Sequence, residues 1–419
     1  MNTLPNTIEH TTCRLCGSDS IVFLYSLGDL FVSNFADSRE DAFDENKFVK
    51  APLEMVLCED CSLVQLRHTT PSELLYTGNY WYRSGTTETM RIALARIAVE
   101  ATNHVSLEKG DIVLDIGSND GTFLANFPSH FVRVGCEPAK NLNTAENYGD
   151  RGLQCLPELW THSSFRKKFG DAKAKVITAL GMLYDLEDPS QFMADVAEVL
   201  HPEGVFITQL MCLPDMVEMN DVGNIVHEHL EYYSYQSIAY LFETNHLQVV
   251  DVERNNVNGK STRFICKRRS RGDGHCLKMS ERSRQACITH HKAWILNVCR
   301  NLTRLSTFIQ DTRLKGKTVW VYGASTKGNT ILQLLYRDGV VLDGACDKNP
   351  SKHGKYTVGT GIRIVSEEEA RTQNPDYFLV LPYTFLQEFI ERESDFLDRG
   401  GKFIVPLPEL RVIGKETLS

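Results

Sequence analysis

The residues best suited to chemistry lie in the run Gly223-Asn224-Ile225-Val226-His227-Glu228-His229-Leu230-Glu231-Tyr232-Tyr233-Ser234. Two histidines flanking a glutamate supply a base near neutral pH, His227 or His229, and a carboxylate, Glu228, to orient it. The spacing lacks the helical i, i+4 geometry of a metalloprotease and no third ligand is evident; a second metal site and a hydrogen-bonded structural loop stay as the other readings. A second constellation is Asp115-Ile116-Gly117-Ser118-Asn119-Asp120-Gly121, with Glu137 closing a later apolar run. Its glycines let backbone approach a ligand closely, and Glu137 is placed to accept hydrogen bonds from ribose hydroxyls. Asp120 stands where a pyrophosphate would be repelled, so the turn suits a cationic cofactor without phosphates. The third constellation is Cys13-Arg14-Leu15-Cys16 with Cys58-Glu59-Asp60-Cys61. Two Cys-x-x-Cys knuckles donate four thiolates and complete a closed, structural Zn²⁺ site. Unpaired core cysteines are the alternative, and a redox dithiol is less apt without a thioredoxin-like βαβ context.

These residues need elements to hold them. Val113–Ile116 reads as a buried strand, the glycine turn leads into a helix-like segment, and Val132–Cys136 is the second strand of an opening βαβ unit. A helix should follow Glu137, then a strand at Lys175–Ala179, a helix at Ser190–Leu200, a turn at His201–Gly204 and a strand at Val205–Gln209. The histidine loop leaves the carboxyl edge of that strand, where open α/β sheets place ligands. A helix at Tyr235–Asn245 and strands at Gln248–Val252 and Thr262–Cys266 complete the pattern. Asn258-Gly259-Lys260-Ser261-Thr262-Arg263 precedes the last strand; its donors and cations would suit an anionic substrate, and solvated turn residues would look the same. Tyr80-Trp81-Tyr82-Arg83-Ser84-Gly85 precedes a helix near Thr87–Ala101, and its aromatics either close over a ligand or pack between domains. Lys317–Gly323, Leu342–Asp347 and Tyr377–Leu381 give a second Rossmann-like unit. Its Gly323-Ala-Ser-Thr-Lys327-Gly328-Asn329 turn has Asn329 where a P-loop requires lysine, which excludes ATP hydrolysis. The helix start with Lys327 can still hold a phosphate or diphosphate, or the turn is structural.

The predicted architecture is α/β. A zinc-binding domain spans 1–86, a doubly wound sheet spans 87–267, a helical connector spans 268–314 and a Rossmann-like domain spans 315–419. At 419 residues the chain has ample core for this arrangement, and a net charge of −9 argues against a nucleic-acid partner. No apolar run of eighteen residues and no signal-peptide pattern occur, so a soluble cytoplasmic protein is expected, outside the membrane. Twelve cysteines in a chain this long are too dilute for a disulfide scaffold. The Leu277–Leu314 helical pattern would serve domain packing or self-association.

The Asp115–Gly121 turn resembles the first motif of class I S-adenosylmethionine (SAM) methyltransferases. Taken with Cys13/Cys16 and Cys58/Cys61, Tyr80–Gly85, His227-Glu228-His229, Asn258–Arg263 and Gly323–Thr330, nearly the whole chain resembles the three-domain, zinc-containing sugar C-methyltransferases that act on nucleotide-linked 4-keto-6-deoxyhexoses. The resemblance implies that SAM is held by Asp115, Gly117, Ser118, Asn119, Asp120, Gly121, Glu137 and Ala179. It implies an acceptor lying between the second and last domains, near Arg83, Lys260, Arg263, Ser325, Lys327 and Asn329. The implied chemistry is removal of a proton next to a ketone by His229, oriented by Glu228 and accompanied by His227, with Tyr80 or Tyr82 donating to the keto oxygen. The chain departs from the family pattern at Asp185, where a histidine is expected, at Val226 for a tyrosine, and at Lys260 for a glycine. These departures point to a different substrate geometry, ring carbon or acceptor atom, with Tyr184 and Asp185 as possible compensation. Methyl transfer to nitrogen or oxygen is the enzymatic alternative, and a binding protein with a degenerate cofactor fold is the other.

Overall fold

The computed structural model describes residues 7–76, 78–269 and 281–418, with the side chains of 281–287 left aside. Residues 270–280 of the expected connector lie outside the described residues, as do 1–6, 77 and 419.

Ile112–Ile116 is apolar except for its terminal acid, and all five residues are buried, as a strand covered on both faces requires. It is an interior strand of a seven-stranded sheet in the order Leu247–Asn255, Ser261–Arg268, Leu200–Leu210, Ala174–Leu180, Ile112–Ile116, Val132–Cys136, Gln154–Leu156. The five strands from Leu200–Leu210 to Gln154–Leu156 pair in parallel, and Ser261–Arg268 runs antiparallel to both neighbours. The period-two alternation divides the core. Val113, Val176 and Ile207 pack against Leu94, Ile97 and Ala101 of the Glu88–His104 helix. Leu114, Ile177 and Phe206 pack on the opposite face with Phe165, Met193, Val196 and Leu241.

Local readings differ from the structure in three places. The segment after Gly121 forms only a short 3-10 turn, Leu124–Asn126, because Phe123, Leu124 and Phe127 are all drawn into the core before Pro128. The helix expected after Glu137 lies at His162–Phe169, preceded by the unforeseen Gln154–Leu156 strand. His201–Gly204 is an irregularity within the Leu200–Leu210 strand, since Ala174 pairs with Leu200 and Val176 with Val205.

The C-terminal sheet has the order Ile364–Val365, Gly344–Cys346, Val319–Tyr322, Tyr377–Val380, Lys402–Val405, Arg411–Ile413, parallel except for the last strand. The Glu281–Leu314 helix shows a buried stripe of Trp294, Val298, Leu305 and Ile309. That stripe shares one core with Leu53 and Met55 of the N-terminal module and with Val319 and Ile331 of the C-terminal one, so its apolar face is used within the chain. Among the described residues no helix is long and apolar enough to cross a membrane.

The N-terminal sheet takes its fourth strand from the histidine loop: Glu231–Tyr232 pairs with Val64–Leu66, which is followed by Lys50–Cys58 and Ile21–Phe31. The loop is therefore fixed by three modules. Leu66 N–H donates to Leu230 O at 2.9 Å, and Leu230 N–H donates to Tyr184 O at 2.7 Å. From the C-terminal module the Thr330 hydroxyl reaches Ile225 O at 3.2 Å.

Candidate active site

A cavity of about 730 Å³ runs along the carboxyl edges of both parallel sheets, where crossover topology leaves a crevice. At one end the Gly117 turn lies at φ +70°, and a Cβ there would come within 3.1 Å of Met182. Asp115 accepts from the Thr178 hydroxyl at 2.6 Å, and Glu137 accepts from the backbone N–H groups of Asn119 and Ala139, each at 2.8 Å. Both carboxyl groups line the cavity. Burial pushes each of them up to about 7. Lone pairs left on Glu137 suit ribose hydroxyls, and paired buried acids suit a cation; this end fits SAM, whose sulfonium is positive and which carries no phosphate.

At the other end His229 Nδ1 is 2.9 Å from Asn224 O. A carbonyl can only accept, so Nδ1 carries the proton and Nε2 keeps its lone pair. Burial, then the Lys327 charge, holds His229 well below the ordinary histidine range, which keeps the ring neutral. Its ring packs 4.2 Å from that of Tyr184. What orients His229 is thus the Asn224 carbonyl rather than Glu228. Glu228 lines the same cavity and burial pushes it up to about 7. Asp185, beside it, is also pushed well up by burial and by the Glu228 charge, and its Oδ1 is buried with no hydrogen-bond partner.

The aromatic segment forms a wall. Tyr76, Tyr80 and Tyr82 line the cavity, and the Tyr76 hydroxyl donates to Glu228 O at 2.8 Å. The segment is pinned to the glycine turn by Ser84 N–H to Asn119 Oδ1 and Gly85 N–H to Asp120 Oδ2, each at 2.9 Å. Trp81 turns the other way, donating to Asn34 Oδ1 at 2.7 Å and meeting Phe35 edge-on. The segment thus packs between modules through Trp81 and lines the cavity through Tyr80 and Tyr82.

Several expected contacts are spent elsewhere. Asp120, Gly121 and Ala179 stand behind the cavity wall; Asp120 holds Gly85, and a Cβ on Gly121, at φ +70°, would lie 2.9 Å from Leu153. His227 does not reach the cavity, because its Nε2 bonds Ala51 O at 2.9 Å in the N-terminal module. Arg83 donates to Asn141 O at 3.2 Å, Lys260 pairs with Glu218, and Arg263 pairs with Glu100 at 2.5 Å and with Glu253, so none of the three lines the cavity. Asn329 is buried behind the wall with Nδ2 on Val358 O at 3.0 Å. Val226 is core. Ser325 and Lys327 do line the cavity, along with Asn224 of the histidine run, Asn258 of the segment read as suiting an anionic substrate, and Tyr383, which had no assigned role. Tyr383 follows the carboxyl end of the Tyr377–Val380 strand, and that edge rule would have found it.

The Sγ atoms of Cys13 and Cys61 are 3.5 Å apart, those of Cys16 and Cys58 3.6 Å, and all four lie within 4.8 Å of one another. Four Zn–S bonds of about 2.3 Å in a tetrahedron require S–S edges of about 3.8 Å, so the set fits one Zn²⁺ with no open position. Hydrogen bonds with Cys13 and the other thiols push Cys61 up and hold Cys58 down, as sulfurs sharing one negative charge would be; a divalent cation relieves that competition.

Three family profiles match in chain order: a zinc binding domain over 13–76, a methyltransferase domain over 85–252 and a C-methyltransferase C-terminal domain over 259–408. The C-methyltransferase NovU of Streptomyces niveus is 30% identical over 420 aligned residues, spanning 97% of each chain. Among solved structures, a SAM-dependent methyltransferase of Clostridium acetobutylicum is 13% identical over 43% of this chain and 92% of its own, with a TM-score of 0.34. The CcbJ methyltransferase of Streptomyces caelestis is 12% identical over 45% of this chain and 100% of its own, with a TM-score of 0.33. Those scores are too low to carry weight beside the strand order. With the strand order, the four-cysteine site and a relative aligned end to end, the chain belongs to the three-module, zinc-containing C-methyltransferase family and is a SAM-dependent methyltransferase.

Proposed function

We propose that the protein methylates a carbon adjacent to the ketone of a nucleotide-linked keto-deoxysugar. The observation that carries this reading is the neutral His229, protonated on Nδ1 by its bond to Asn224 O, lining the same cavity as Asp115 and Glu137. SAM, when bound, supplies an electrophilic methyl group on a sulfonium. Asp115, Glu137 and the Gly117–Asn119 turn hold and orient it. His229 Nε2 takes the proton from the carbon next to the ketone, leaving that carbon nucleophilic. The Tyr80 or Tyr82 hydroxyl donates to the keto oxygen as charge develops there, beside Asp185, whose carboxyl burial and the Glu228 charge push well above the usual carboxylate range. The aromatic wall excludes water from the reacting carbon. His227 holds the loop in register and takes no proton.

The cavity's charge supports one orientation of the acceptor. Nine carboxyl residues line it against a single lysine and no arginine among the described residues. The keto-sugar end therefore enters, and the diphosphate stays outside the ring of carboxyl groups. On this reading the chain divides at 86/87, 267/268 and 314/315, and it works in the cytoplasm, which fractionation of expressing cells would check.

The test is mass spectrometry of protein, SAM and a panel of nucleotide 4-keto-6-deoxyhexoses in D₂O. One added methyl, with deuterium entering the adjacent carbon, is expected. With SAM binding confirmed, neither methylation nor exchange would overturn the acceptor class and favour nitrogen or oxygen.

A further inference from the structure

Lys327 has company that a phosphate ligand would not have. It is the N-terminal residue but one of the Thr326–Arg337 helix, and its Nζ donates to Asn224 Oδ1 at 2.7 Å. Asn224 is the residue whose carbonyl fixes His229. The Asn224 amide in turn donates to the Asp221 carboxylate, which also receives Gly223 N–H at 2.7 Å and the Tyr383 hydroxyl. Around Nζ stand the carboxyl groups of Asp221, Asp185 and Glu228, each favouring its charge against burial. A diphosphate brought to this lysine would face three acids.

We propose, building on the reading of His229 as the base, that Lys327 is a positioning residue of the methyl-transfer centre and not a phosphate ligand. Through Asn224 it fixes the ring that takes the proton, and it supplies the one lysine charge among the carboxyl groups of the cavity. The C-terminal module thereby completes the acid–base centre of the central module. Lys327 also opposes protonation of His229, whose other close neighbours are the Asn224 carbonyl, the Tyr184 ring and Glu228. Removing the lysine must raise the histidine's affinity for a proton.

Histidine side-chain NMR of the zinc-loaded full-length enzyme tests this without any acceptor. In Lys327→Met the His229 titration should move up by about one pH unit, and Lys327→Arg should stay near wild type. In turnover, Lys327→Met should lower kcat about 100-fold, the scale of general-base catalysis, with acceptor KM changed less than about threefold. A tenfold or greater rise in KM, with kcat and the His229 titration unmoved, would make Lys327 a phosphate ligand and overturn the proposal. If Lys327→Met does not accumulate, Asn224→Ala breaks the same link while keeping the charge: kcat should fall with the His229 titration unmoved, and unchanged kcat would refute the link. Should the acceptor panel give no turnover at all, the acceptor class fails while the NMR comparison still decides the role of Lys327.

Discussion

Three buried carboxyl groups make the SAM-free protein less stable as pH rises through neutrality. Asp115, Glu137 and Glu228 are 3%, 6% and 9% exposed, and burial raises each to about 7. In the unfolded chain such groups ionise near pH 4. The folded state therefore holds more protons between these limits, and stability falls with pH across that range. In the window from pH 6.5 to 8 the histidines oppose the effect only in part: His227 and His229, both pushed down by burial, each recover about 0.4 kcal/mol as the unfolded imidazoles lose their remaining protons. Over that interval each carboxyl group goes from mostly protonated to mostly ionised, which costs about 0.8 kcal/mol, and the three together about 2.4 kcal/mol, or about 1.6 kcal/mol net of the histidines. For a cooperative unit the size of the central module this is a drop in Tm of roughly 3–6 °C. Calorimetric unfolding of zinc-loaded, SAM-free protein at fixed ionic strength is the assay. Asp115→Asn should remove about 0.8 kcal/mol of the fall, roughly half of the slope. SAM affinity should rise about tenfold over the same window, since a sulfonium favours the ionised pair. A Tm that is flat or rises from pH 6.5 to 8, unaltered in Asp115→Asn, would refute the argument.

Cys58→Ser should release zinc and unfold the N-terminal module, since a structural zinc contributes folding free energy directly; full metal stoichiometry by elemental analysis would show the ligand set to be wrong. His227→Gln, which can still donate to Ala51 O, should keep kcat within about tenfold, whereas loss on the 10²–10⁴ scale of a missing general acid or base would make His227 catalytic after all. Asp185→Asn keeps a donor at the cavity and removes a base; retained C-methylation is expected, and complete loss with intact SAM binding would assign the proton transfer to Asp185.

The sequence made legible whatever depends on neighbours close along the chain. Cys13-x-x-Cys16 and the Asp115–Gly121 turn are each marked by residue types a few positions apart, and the period-two burial of the strands is local as well. The histidine loop could be placed at a carboxyl edge by topology alone. The aim of its side chains could not. His227 points to the carbonyl of Ala51, 176 residues away, and Arg263 to Glu100 and Glu253. A cation read from sequence looks available for an anion; only the fold shows its charge already balanced. The same holds for the 3-10 turn after Gly121, where tertiary burial of Phe123, Leu124 and Phe127 overrode a helical pattern.

Distance in sequence also separates the zinc site from the chemistry it serves. No zinc ligand lines the cavity. Arg14, between Cys13 and Cys16, is buried, donates to Leu66 O and to the Thr69 hydroxyl at 2.6 Å, and lies 4.0 Å from the Glu231 carboxylate, itself fully buried. Glu231 N–H donates to Tyr184 O at 3.1 Å, next to Asp185 and two residues from His229 in the loop. The knuckle thus sets Arg14, which lies 3.6 Å from the Glu187 carboxylate and 4.0 Å from that of Glu231, and the Glu231 backbone holds the base's loop. Breaking a buried ion pair by removing one partner costs about 3–5 kcal/mol, while replacing both partners with apolar residues of similar volume is often neutral. Arg14→Met should therefore keep zinc but lose stability on that scale, with kcat falling as the loop shifts. Arg14→Met with Glu231→Leu should recover most of the stability. If Arg14→Met alone matches wild type in Tm and kcat, the zinc module serves its own fold and has no hand in placing His229.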